Sequence, residues 1–177
     1  MSGCERAAAL ADAMRATKPF VTRFLAGFDD SNRTKQMPTL PNHAVWCMGH
    51  LALTMNRFAM RFDGKPLPES DYVTGDGGAG NANQFDTESV CVGSKPVDDP
   101  SKYPTLERGR RVFEDAIDRI GDALESMSEA QLGEEQPWGK GQFKVSDLAA
   151  RIMFHNGMHA GQLADLRRAM GLPGVIG

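Results

Sequence analysis

The residues in this sequence best suited to hold a metal ion are its four histidines, His43, His50, His155 and His159. His155 and His159 are four residues apart, which on a helix stacks them on one face with Cβ atoms about 5–6 Å apart. That face is otherwise apolar, with Leu148, Ile152 and Leu166 on the same seam. A buried imidazole needs a partner, because a dry and unpaired polar group costs about 1–3 kcal/mol. Two readings satisfy the pair: hydrogen-bonded core histidines, or shared ligation of a divalent metal. His50, in the middle of the charge-free stretch MGHLAL, supplies a third candidate ligand from a second helix. His43 lies seven residues earlier, about 10 Å along the helix axis, too far to share an ion with His50. It is expected to cap the helix start or line an entrance. Three imidazoles leave open positions on an ion, the mark of a catalytic site. Such an ion lowers the pKa of bound water or of a bound thiol. All-nitrogen ligation suits zinc, nickel, iron or copper without choosing among them.

Other side chains are weighed around this triad. Trp138, in EEQPWGKGQF, is placed to cover the mouth of the site or to anchor a loop. Asn156 and Gln162 can hydrogen-bond a ligand, steady an imidazole or simply pack. Cys47, one turn before His50, reads as a buried structural thiol rather than a ligand. Arg167 and Arg168 favour the negative end of the last helix. The ten methionines read as adaptable core filler. GDGGAG lacks the preceding strand that a dinucleotide-binding loop requires.

The elements that must carry these residues are helices. A first helix lies between Glu5 and Phe28, with Pro19 expected to kink or split it. A second runs from His43 to Phe62, with Asn42 as N-cap or Pro41 in the first turn, and Asp63-Gly64 ends it. Residues 64–104 read as a long irregular crossover or lid. A third helix starts near Pro104-Thr105, with Leu106, Gly109, Phe113, Ile117, Ile120, Leu124 and Met127 as its seam. The fourth starts at an N-cap Ser146, runs to Met170 and is stopped by Gly171-Leu172-Pro173-Gly174. Its seam continues from the histidines through Gln162 and Leu166 to Ala169. Strand signals are nearly absent. The pattern predicts an all-α fold: one four-helix bundle domain over residues 1–177, with a long crossover between helices two and three.

Composition narrows the function. The chain has 177 residues and a formal net charge of −3, so nothing marks it as a nucleic-acid binder. Three scattered cysteines give no disulfide framework, and the N-terminal stretch has no apolar signal core; both fit a cytoplasmic protein. The longest charge-free run, Met37 to Asn56, has only 11 apolar residues of 20 and two prolines, too few for a membrane span.

Two stretches, LPNHAVWCMGHLA and FHNGMHAGQLADLRRAMGLPG, resemble the DinB-like (DNA-damage-inducible) superfamily of metal-binding four-helix bundles. The resemblance spans roughly Leu25 to Val175, with residues 64–104 its least family-like part. It implies a homodimeric bundle, a triad of His50, His155 and His159 holding a divalent metal, and a small-molecule substrate. The superfamily includes S-transferases and isomerases that use low-molecular-weight thiols, and members described as hydrolases. Many relatives carry an acidic residue directly after the first histidine of the pair; here it is Asn156. No carboxylate of the motif can then serve as a neighbouring base, since Asp147 and Asp165 are about two turns away. This favours thiol activation over water activation. The alternative from another class is a non-catalytic metal- or ligand-binding bundle.

Overall fold

Apolar residues three and four apart wind the chain into four long helices, and the side chains they bury form one core. The computed structural model describes residues 3–74 and 80–176. In chain order these residues form α1 (Glu5–Thr22), α2 (Ala44–Asp63), β1 (Tyr72–Val73), β2 (Phe85–Asp86), α3 (Thr87–Val90), α4 (Leu106–Glu125), α5 (Glu129–Gly133), β3 (Glu135–Trp138), β4 (Gly141–Lys144) and α6 (Val145–Ala169). Short 3-10 turns occupy Arg23–Leu25 and Pro100–Lys102. The long helices touch in a ring: α1 packs on α4 and α6, and α2 packs on α4 and α6. No helix among the described residues is long and apolar enough to cross a membrane.

The helix ends differ from expectation in instructive ways. Pro19 lies inside α1 without ending it; the helix tightens into a 3-10 turn only at Arg23. Neither Asn42 nor Pro41 begins α2. His43 is its N-cap, with Nδ1 accepting the Trp46 N–H at 3.2 Å, while Asn42 donates to Gln162 Oε1. Gly64, at φ 68°, closes α2 as predicted. Ser146 is not the cap of α6. The strand β4 runs straight into the helix, Lys144 takes the cap position, and the Val145 N–H is bonded to Glu134 O at 3.0 Å. Ala169, expected on the seam, is exposed, and Leu163 is buried instead.

Strands do form, in two small pairs. β1 and β2 run parallel with Tyr72 opposite Phe85. β3 and β4 make an antiparallel hairpin from Glu135–Lys144 to Trp138–Gly141, turned by Gly139 at φ 59°. Each is too short to show a periodic signal, and β3 holds Pro137, a residue that strands avoid.

The crossover is more ordered than an irregular link. It holds β1, β2 and α3, and it buries Phe85, Val90 and Tyr103 against the helices. Arg108 of α4 staples it, donating to the Asp71 carboxylate at 2.6 Å and to the carbonyls of Ser70 and Asn83. Buried Arg33 does the same for Pro100 O and Pro104 O. Of the GDGGAG tract, all but Gly80 lies outside the described residues. One close approach depends on a missing side chain: a Cβ on Gly49 would sit 2.6 Å from the Phe85 ring and 2.9 Å from Val90. Glycine therefore lets the crossover lie against α2 at the residue before His50.

Candidate metal centre

The three histidines meet where α2, α3 and α6 converge. His50 is carried by α2; His155 and His159 are carried one turn apart by α6, as their spacing predicts. Their ring centroids are 4.7–5.1 Å apart, and one ligand atom from each falls within 4.8 Å of the other two. His50 and His159 are buried and His155 is half-buried.

The elements around His50 hold its ring in place. Its Nδ1 lies 2.9 Å from Val90 O at the end of α3. A carbonyl can only accept, so Nδ1 carries the proton and Nε2 presents a lone pair. Trp46 stacks on the ring, with centroids 4.7 Å apart and planes 6° from parallel. Trp46 is itself tied to the crossover, its Nε1 donating to Ser89 O and Ser94 Oγ at 3.0 Å. The crossover therefore sets the tautomer and the orientation of the first imidazole.

His50 Nε2 lies 3.2 Å from His155 Nε2. Two nitrogens at zinc-ligand distance from a common ion lie about 2.9–3.4 Å apart, for bond angles between octahedral and tetrahedral. The same separation fits one hydrogen bond from His155 to His50, but that bond leaves His159 out. Nδ1 of His155 and of His159 is buried and has no hydrogen bond with the described residues. Gln162 stands near enough to favour protonation of His159, without a well-formed hydrogen bond, and its Oε1 accepts from Asn42 at 2.9 Å. Three nitrogens placed this way could hold one ion.

Electrostatics favour the ligating form. Burial lowers the pKa of all three rings: His50 by desolvation, His155 to about 4 with help from His50, and His159 to about 3 with help from both neighbours. Near neutral pH each imidazole is uncharged and can donate a lone pair.

A cavity of about 310 Å³ opens onto His50 and His155. Its apolar wall includes Leu53, Phe58, Val92 and Trp138, and Arg57, Arg61 and Cys91 also line it. No Asp or Glu does. Trp138, brought by the hairpin, stacks on Phe58 at 4.7 Å and stands edge-on to His155 at 6.4 Å, so it covers the site from the solvent side. Two larger surface hollows, of about 430 and 460 Å³, contain no histidine.

The remaining candidates fall elsewhere. His43 is fully buried at its cap, edge-on to Tyr103, and is not part of the cluster. Asn156 points into the core, where its Nδ2 donates to Thr17 Oγ1 at 3.1 Å and contacts Met55 Sδ; it supports no imidazole. Cys47 is buried, and desolvation pushes its thiol up to about 12. Arg167 is buried on the carbonyls of Phe24 and Pro173, and Arg168 pairs with Asp165. Sequence reasoning missed Cys91, Arg57 and Arg61. The arginines had a readable signal: they follow His50 by seven and eleven residues, on the helix face it occupies. Cys91 had none, since only folding of the crossover brings it to the cavity.

A family model described as the DinB superfamily matches residues 7–163, a span that includes all three clustered histidines. No curated protein and no solved structure matches the chain.

Proposed function

The chain belongs to the DinB superfamily, and on that footing we propose that it is a metal-dependent enzyme that activates a low-molecular-weight thiol for transfer to a small electrophile. His50, His155 and His159 would hold the divalent ion, with zinc, nickel and iron all suited to the donor set. The ring of long-helix contacts supports reading the fold as a four-helix bundle with a crossover between α2 and α4.

The observation that carries this reading is the pairing of three neutral imidazoles with a cavity that, among the described residues, has no carboxylate in its wall. A bound divalent ion would make a thiol acidic enough to ionise near neutral pH. The chain's own residues do the rest. Val90 O fixes the proton of His50 on Nδ1 and keeps Nε2 free. Trp46 and Trp138 restrict ring motion and shield the site from bulk water. Phe58 and Leu53 offer apolar surface to the body of an electrophile. Water activation is the weaker reading, because a hydrolase needs a base to receive the proton and no carboxylate among the described residues lines the cavity.

The test is to purify the protein, load it with zinc, nickel or iron, and assay conjugation of model electrophiles with several small bacterial thiols. Turnover is expected with at least one thiol. In His155→Ala it should fall by about 100-fold or more while the helical circular dichroism is kept. Metal uptake without turnover across a broad panel would instead identify a non-catalytic binding protein.

A further inference from the structure

The cavity beside the triad carries two arginines, Arg57 and Arg61. Eight of the thirteen arginines form an ion pair with Asp or Glu. Among the described residues, the two that line this cavity form none, and no acidic residue stands in its wall. Arg61 is held in place by a bond to Pro137 O at 2.7 Å and by stacking over Phe58 at 4.6 Å. Arg57, one turn closer to His50, forms neither an ion pair nor a hydrogen bond with the described residues. On a chain of net charge −3, an unpaired cation at the mouth of an apolar cavity is a recognition feature without an internal partner. Arginine's planar fork suits a carboxylate in particular.

We propose that Arg57, backed by Arg61, seats an anionic group, a carboxylate, on the small molecule that this cavity takes. The apolar body of that molecule lies along Phe58 and Trp138, with its reactive end toward His50 and His155. The inference rests on reading this cavity as the substrate side of the metal centre. The seven-position offset from His50 to Arg57 puts their backbones about 10 Å apart, so the anion belongs several bonds away from the reacting atom.

The test titrates hexanoate and its neutral match, hexan-1-ol, into the metal-free full chain at low salt, following tryptophan fluorescence. Hexanoate is expected to bind about tenfold more tightly, equivalent to roughly 1.4 kcal/mol. The preference should fall below about twofold in Arg57→Gln, largely return in Arg57→Lys, and shrink as salt is added. Equal binding of the two probes, absence of hexanoate binding, or a preference unchanged in Arg57→Gln would overturn the proposal. Without metal the triad takes no part, so the two readings fail separately. A chain that prefers hexanoate but takes up no zinc keeps the anion seat and loses the metal reading; the reverse result does the opposite. Repeating the titration on zinc-loaded protein with 6-mercaptohexanoate identifies the carrier. A large gain over hexanoate that is lost in Arg57→Gln places the anion on the thiol, and a gain insensitive to Arg57 places it on the electrophile.

Discussion

At His50 a single backbone carbonyl decides which ring nitrogen is free, and that choice leaves Nε2 with its lone pair toward His155. His43, on the same helix, has the other fate: full burial, one lone pair spent on the Trp46 N–H, and no place in the cluster. Burial lowers its pKa from the ordinary 6.5 to about 4, with the Val97 backbone and the nearby Asp98 opposing. The folded protein therefore binds fewer protons than the unfolded chain between those values. Stability from this residue is complete above pH 6.5 and is lost progressively as pH falls toward about 4. His43→Asn keeps a capping side chain but removes the titration. Its urea-unfolding free energy should fall less between pH 7 and pH 5 than that of the native protein, by on the order of 1–2 kcal/mol. Equal falls in the two proteins would show that His43 is protonated without cost.

Elements decide how near these residues come to one another. The crossover reaches His50 because Gly49 leaves room for Phe85 and Val90. Gly49→Ala places a methyl 2.6 Å from a fully buried ring, so it should destabilise the protein by about 1–3 kcal/mol despite alanine's better helix propensity. Gly157, on α6, faces open space; Gly157→Ala should stabilise by up to about 1 kcal/mol. Urea denaturation of both variants reads the contrast, and like signs would show that the crossover does not press on α2 at this point. The elements were legible in the sequence to different degrees. α2, α4 and α6 announced themselves, because long runs with apolar residues three and four apart admit little else. The hairpin did not, because each strand has four residues and one holds a proline. The start of α6 was misplaced at Ser146 for a related reason: a strand that feeds directly into a helix makes a side-chain cap unnecessary.

At the scale of the whole molecule, the site is built from segments about a hundred residues apart in sequence, and its legibility follows that separation. His155 and His159 could be paired from local spacing, and His50 could be added because it interrupts an apolar run. The rest of the cavity could not be assembled this way. Cys91 arrives with the crossover, Trp138 with the hairpin, and each is placed by tertiary packing rather than by periodicity. Three side chains of one type, pointing inward from two helices, form a site only if they share something. The most direct test is zinc content after equilibrium dialysis, measured for the native protein and for His50→Ala, His155→Ala and His159→Ala. One ion per chain is expected in the native protein. Each substitution should weaken binding by more than the roughly 10–100-fold that follows loss of a merely supporting hydrogen bond. A native chain that retains no zinc, or zinc binding indifferent to all three substitutions, would contradict the shared ion on which this account depends.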